Sequence, residues 1–236
     1  MTVELSFPPL LSGHRLEGAA DPFEVAQAQA AAGCDAGLVV YNLRPTTLDA
    51  AIVLAPEVPL QQAMAMLPVC GVGFQNALGA LSPPEVAVHL EWDGTVRING
   101  ARCGRFTPAA ATTDPETQPD WLVIGLTLTL WPESDDTGHQ PDQTALYAEG
   151  CADVDAAQLL ESWARHTLVW INRWSEEGNA PLHKDWRGMA HGIGEDITVA
   201  GKTGTFLGVD EDFGLLLRRS DQTDLIPLTT LLESSP

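Results

Sequence analysis

Residues His89 to Phe106 read HLEWDGTVRINGARCGRF, and the reading of this stretch decides the fold. Trp92, Val96, Ile98, Asn99-Gly100 and Arg102 mark two short alternating strands turning at Asn-Gly, the dipeptide that most readily takes the left-handed backbone of a tight hairpin. Trp92 alternates with Leu90 and the apolar strand before it, which favours a core position over a stacking platform. Glu91 and Asp93 face water on this reading, and Arg102 on the return strand is either a solvated arginine or a ligand contact.

Upstream, Asp21 to Gly33 (DPFEVAQAQAAAG) predicts an alanine-rich helix with Asp21 as cap, Pro22 at its first position and Gly33 as its stop. Gly37 to Tyr41 and Leu48 to Ala55 predict two buried strands around a turn at Pro45. Gln61 to Leu81 is apolar and rich in small residues, suiting a helix packed closely on a sheet, with a break or kink expected at Pro68. Downstream come a loop, Thr107 to Pro119, and a strand, Trp121 to Trp131; Glu133 to Gln143 then reads as a mobile surface loop.

Ala156 to Glu177 is the clearest helix, with Leu159, Leu160, Trp163, Leu168, Ile171 and Trp174 on one face and Gly178 at the stop. Trp163, Trp170 and Trp174 recur at helical spacing and read as packing residues. Trp186 to Gly194 is glycine-rich but follows no strand and precedes no helix, so it reads as a connector and not a phosphate loop. From Ile193 the sequence alternates with frequent turn residues, the pattern of a small barrel of short strands. A boundary near Trp186 to Gly192 divides the chain into units of residues 1–188 and 189–236.

Apolar residues make up 44 % of the 236, which predicts a packed globular protein. The formal charge of −20 repels polyphosphate, and no Lys/Arg stripe offsets it, so nucleic acid is not expected as a partner. No apolar run reaches the length of a membrane span, so no membrane partner is expected, and nothing at the N-terminus marks export. Cys34, Cys70, Cys103 and Cys151 have no metal-ligand spacing, and His89, His166 and His183 have no partners at catalytic spacing. Idle thiols in a cytoplasmic protein are the expectation.

Three segments in order resemble the biotin/lipoate-protein ligase family. The family's hairpin carries Lys-Trp-Pro-Asn-Asp, a few strand residues, Asn-Gly and then Lys-x-Ala-Gly; the match here is at Trp92 and Asn99-Gly100. Trp121 to Leu130 (WLVIGLTLTL) is similar to the family's Val-Ile-Gly-Ile-Gly-Ile-Asn-Val strand at Gly125. Gly204 to Leu217 (GTFLGVDEDFGLLL) resembles its C-terminal Gly-x-x-x-Gly-Ile-Asp-x-x-Gly-x-Leu-Leu hairpin at Gly208, Asp210 and Gly214. The resemblance implies an α+β fold: a mixed sheet flanked by helices, akin to a class II synthetase or biotin-protein-ligase domain, followed by a small SH3-like β-barrel. The ligase-like elements begin almost at residue 1, so no helix-turn-helix module and no repressor role are expected.

The family joins a carboxylate to AMP and passes the acyl group to a lysine, using a glycine-arginine loop and the hairpin lysines to hold the phosphates. Here Glu91 and Arg102 fall on the two lysine positions, Asp93-Gly94-Thr95 on Pro-Asn-Asp, and Thr127 and Thr129 on a glycine and an asparagine of the strand. Tyr41 to Asp49, where the loop belongs, holds no glycine and one arginine, Arg44. Lys184 and Lys202, the only lysines, lie outside the pocket-forming region.

The resemblance therefore implies ligand contacts at Arg102, Arg44, Arg105 and Trp92, for a small carboxylate or acyl ligand, and names no catalytic residue, metal, cofactor or protein partner. Three readings stay open. The favoured one is a binding or regulatory relative without ordinary ATP-dependent biotin ligation. The others are an active ligase or acyltransferase on a small carboxylate, and a structural or interaction protein with no small-molecule site.

Overall fold

The main sheet begins at its edge with a parallel pair. The computed structural model describes residues 5–132 and 142–232. Strand β1 (Ser12–Arg15) lies parallel to β2 (Leu38–Leu43), and helix α1 (Pro22–Ala31) carries the chain between them. The Asp21 carboxylate accepts the Phe23 N–H, and Pro22 fills a first-turn position whose N–H has no helical acceptor, so α1 starts where the sequence predicts. β3 (Thr47–Leu54) returns antiparallel to β2 after a connection of only Arg44, Pro45 and Thr46. The expected helix of Gln61 to Leu81 is two: α2 (Leu60–Ala63) and α3 (Met66–Gly79). Their break precedes Pro68. The proline sits in the first turn of α3, where it removes no helical hydrogen bond, and the helix runs on through it.

His89 to Phe106 contributes to three strands, not two: β4 (Val88–Leu90), β5 (Thr95–Ile98) and β6 (Ala101–Ala110). Asn99 (φ 50°) and Gly100 (φ 92°) form the expected left-handed turn, whereas Trp92 lies in the β4–β5 connection. β6 continues to Ala110, so the first residues of the expected Thr107 to Pro119 loop are strand. β7 (Leu122–Thr129) slots between β3 and β6, giving a seven-stranded mixed sheet of order β1-β2-β3-β7-β6-β5-β4. The surface loop expected over Glu133 to Gln143 lies, up to residue 141, outside the described residues.

α4 (Ala156–Glu177) has the predicted bounds, with Asp155 capping the Gln158 N–H and Gly178 following at φ 72°. The connector expected over Trp186 to Gly194 is corrected in its first part. α5 (Asn179–Met189) includes Trp186, and it is anchored by buried Leu182 and Trp186. α3 and α4 cover one face of the main sheet, with Phe74, Phe106 and Trp163 at the centre of the core. A Cβ at Gly73 would stand 3.0 Å from the Thr167 backbone, so the small residues of α3 are what allow α4 to approach this closely. α1 covers the opposite face only over β2, β3 and β7, packing Ala26 and Ala30 on Val40, Ala51, Val53 and Val123.

The last four strands, β8 (Asp196–Val199), β9 (Lys202–Val209), β10 (Leu215–Arg219) and β11 (Gln222–Ile226), form an antiparallel sheet of order β11-β10-β9-β8. The first and last of these are not paired with each other in the sheet. Phe206, Phe213, Leu215 and Leu228 belong to the same buried cluster as Leu67, Leu90, Trp92 and Trp186, so the two sheets share one hydrophobic core.

Candidate functional site

The half of the sheet face that α1 leaves open is polar, and strand register assembles it. On β7, Val123, Gly125 and Thr127 alternate with the core residues Ile124, Leu126 and Leu128. Thr127 pairs with Asp49 of β3 on one side and Arg105 of β6 on the other, and Arg105 pairs with Thr95 of β5. Asp49, Thr127, Arg105 and Thr95 thus form one cross-strand row. Beyond an irregularity at Val96/Arg97, Arg97 faces Arg102. Where α1 meets this face, Asp21, Phe23, Asp49, Thr107, Gly125 and Thr127 line a cleft of about 160 Å³. Its floor is crowded: a Cβ on Gly125 would lie 2.6 Å from the Phe23 ring, so the phenyl group covers the glycine that the family strand shares.

Each arginine singled out in the sequence reaches this face, and each carries a carboxylate partner. Arg44 lies 3.7 Å from Asp49 and donates to the Ala20 carbonyl at 3.1 Å, while Thr47 donates to the same Asp49 carboxylate. Arg105 lies 3.4 Å from Asp93. Arg102 is half exposed, 3.4 Å from Glu91 and 3.6 Å from Asp142, and its backbone pairs with Asp142 and Thr144.

Arg97, which sequence reasoning did not single out, is the buried centre of the cluster. Its guanidinium donates to Glu91, to Asp142 at 2.9 Å and to the Gly100 carbonyl at 2.6 Å. The Arg97 hydrogen bond, reinforced by the charges of Arg97, Arg102 and His191, holds the Asp142 carboxyl below the usual carboxylate range. The signal in the sequence was the alternation Thr95, Arg97 against Val96, Ile98, which puts Arg97 on the same face as Glu91 and Arg102 once the hairpin is drawn.

Trp92 is elsewhere. Its indole is buried at the seam between the two sheets, where Nε1 donates to the Phe213 carbonyl at 2.7 Å. The void beside it, bounded by Leu67, Leu90, Phe106 and Trp186, measures about 20 Å³, room for a single water at most. His89 packs edge to face on His191, their ring centroids 6.2 Å apart. Burial pushes the Cys103 thiol up to about 12, which removes it as a nucleophile at neutral pH. Among the described residues no group of three or more His, Cys, Asp and Glu side chains is placed to hold a metal, and no helix is long and apolar enough to cross a membrane.

Residues 7–188, which hold the seven-stranded sheet and its hairpin, match the biotin/lipoate A/B protein ligase family. The chain belongs to that family. Residues 193–234 match a domain of unknown function, DUF4444. Among curated relatives of these ligases, the bifunctional ligase/repressor BirA of Bacillus spizizenii is 24 % identical over 184 residues, covering 72 % of this chain and 53 % of BirA. The chain thus spans about half the length of the curated relatives it matches. A crystal structure of a biotin protein ligase-like protein of unknown function from Silicibacter sp. TM1040 is 66 % identical, with a TM-score of 0.92 over 97 % of this chain and 99 % of that one. A point mutant of the Aquifex aeolicus biotin protein ligase in complex with biotin superimposes with a TM-score of 0.74 at 15 % identity, over 92 % of this chain and 96 % of that one, which establishes likeness of fold.

Proposed function

We propose that this chain is a binding or regulatory relative of the ligases that holds a small carboxylate-bearing ligand on the open sheet face and does not carry out ordinary ATP-dependent biotin ligation. The carrying observation is the neutralisation of that face. Arg44, Arg97, Arg102 and Arg105 are each paired with Asp49, Glu91, Asp93 or Asp142, and Glu91 stands where the resemblance puts the first hairpin lysine. A triphosphate brings several negative charges to a face with no cationic excess, in a protein already at −20. The three-residue connection between β2 and β3 supports the same reading, since it is too short to wrap an acyl chain and a phosphate together.

A Leishmania major relative of the same fold is described in complex with biotinyl-5-AMP. In this chain the cleft of about 160 Å³ is lined by Asp21 and Asp49 and by no arginine, which disfavours a carboxylate there; the arginine cluster further along the same face is the site we assign to it. Arg102 is the reachable guanidinium: a ligand carboxylate displaces the exposed Asp142 and takes its place, with Arg44 or Arg105 assisting. We read residues 1–188 as the binding unit and 189–236 as an SH3-like barrel docked on it, in a cytoplasmic protein.

The test is a thermal-shift screen of biotin, lipoate, octanoate, short carboxylates and ATP, run beside biotin-dependent exchange of pyrophosphate into ATP. A carboxylate should raise the midpoint, and Arg102→Ala should weaken it tenfold or more, the worth of a charge-assisted pair of about 1.5–3 kcal/mol. Exchange above a no-protein control, lost on Arg102→Ala, would overturn the proposal in favour of an active ligase. Absence of any carboxylate shift would favour an interaction protein with no small-molecule site, the reading that Phe23 over Gly125 also supports.

A further inference from the structure

A second concavity shares no lining residue with the cleft on the sheet face. It is an open groove of about 1310 Å³ between the C-terminal half of α4, the start of α5, the end of β3 and the turn before β10. The walls are chemically divided. Leu168, Ile171 and Trp174 of α4 line it together with Leu54, Met66 and Leu10, and Leu10 is 79 % exposed, an unusual position for a leucine with no partner over it. Its charged lining is of one sign: Glu57, Glu177, Glu211 and Asp212, all exposed, with no lysine or arginine among the lining residues. Arg173 occupies Glu177, and among the described residues the Asp212 carboxylate accepts only the Asn179 amide, so the rim keeps a negative excess.

From this division we infer that the groove is a docking site for a cationic amphipathic segment of a partner protein, whose apolar side chains lie on the floor while its lysines and arginines meet the rim. The charge pattern selects among occupants. A fatty acid would bring a carboxylate to a rim without a cation. A second copy of this chain would bring the same acidic rim and another −20. A basic amphipathic segment satisfies floor and rim together, with apolar anchors recurring at helical spacing.

The probe is a fluorescein-labelled 18-residue Leu/Lys peptide with leucines at i, i+3, i+4 and i+7, compared by anisotropy with a scrambled peptide of the same composition. Equimolar binding at least tenfold tighter than the scrambled peptide is expected. Reversing the rim with Glu57→Lys, Glu211→Lys and Asp212→Lys should weaken it tenfold or more. Leu10→Asn should weaken it about threefold or more; Asn accepts the left-handed backbone at residue 10 (φ 75°), so this variant removes apolar contact and keeps the chain path. As a control, Glu24→Lys, Glu85→Lys and Asp153→Lys, three exposed acids outside the groove lining, should leave affinity within twofold.

Equal affinity for the scrambled peptide, or equal loss in the control variant, would reduce the effect to the general acidic field and overturn the assignment. So would a wild-type dimer in sedimentation that Leu10→Asn dissociates, which would give the groove to a second copy.

Discussion

At Arg97 one guanidinium ties the hairpin to a segment distant in sequence: Glu91 before the hairpin and Gly100 at its tip are local, and Asp142 lies beyond β7. Arg97 is largely buried while Asp142 is exposed, so the cost of losing the arginine comes mainly from leaving Glu91 and a backbone carbonyl without a donor. Arg97→Met should therefore lower stability at pH 7 by about 2–3 kcal/mol in urea denaturation, below the range for a fully buried pair because one partner is in water.

The same change has a pH signature. Asp142 titrates below its unfolded value because of Arg97, so its contribution is present above about pH 4 and fades as pH falls through the folded-state value. Arg97→Met should flatten that acid limb as well as lower the plateau, and an unchanged slope would show that Asp142 is not held by Arg97. The face of this residue was readable in the alternation, but its burial was not, for a physical reason. Between Val96 and Ile98 an arginine reads as a solvent-facing strand residue, and only the return of the chain at Asp142 buries it.

Elements were legible where local chemistry alone sets them. Asp155 and Gly178 bound α4, and Asn99-Gly100 sets the hairpin, because a cap and a left-handed turn are decided within a few residues. α5 was not legible. Gly188 lowers its helix propensity, Pro181 in the first turn costs no helical hydrogen bond, and the helix forms because Leu182 and Trp186 are drawn into the shared core. β1 likewise has four exposed residues with no apolar alternation, and its parallel pairing to β2 is dictated by the α1 crossover.

Of the candidate site, the arginines of the hairpin and the β2–β3 turn were readable, but their carboxylate partners depend on cross-strand register, which the sequence does not display. The hairpin turn offers the direct test at this scale. A Cβ at Gly100 meets no atom within 4 Å, so a side chain there has room, and Gly100→Val is penalised by backbone conformation alone. At φ 92° the expected loss is about 1–2 kcal/mol, measured by chemical denaturation, with Gly100→Asn losing less; equal losses for the two would point to a packing cause instead.

Across the whole molecule, the question is whether the C-terminal sheet is an appendage or part of one folding unit. The packing answers through a strained residue. Phe213 holds a left-handed backbone (φ 63°), costly for a residue with a large side chain, yet its ring is 1 % exposed against His183 and Trp186 and its carbonyl accepts the Trp92 indole. Such a conformation persists only if the surroundings over-determine it, so the seam contributes more than the strain costs. Trp92→Phe keeps most of the buried ring and removes only the donor, leaving a buried carbonyl unpaired, and should lower stability by about 1–3 kcal/mol. If the two sheets unfold together, tryptophan fluorescence and far-UV circular dichroism will give coincident transitions in the variant, shifted equally from wild type. If the seam is a mere contact, limited proteolysis of Trp92→Phe will instead release a fragment beginning near Ile193 while residues before Met189 stay protected, and the two transitions will separate.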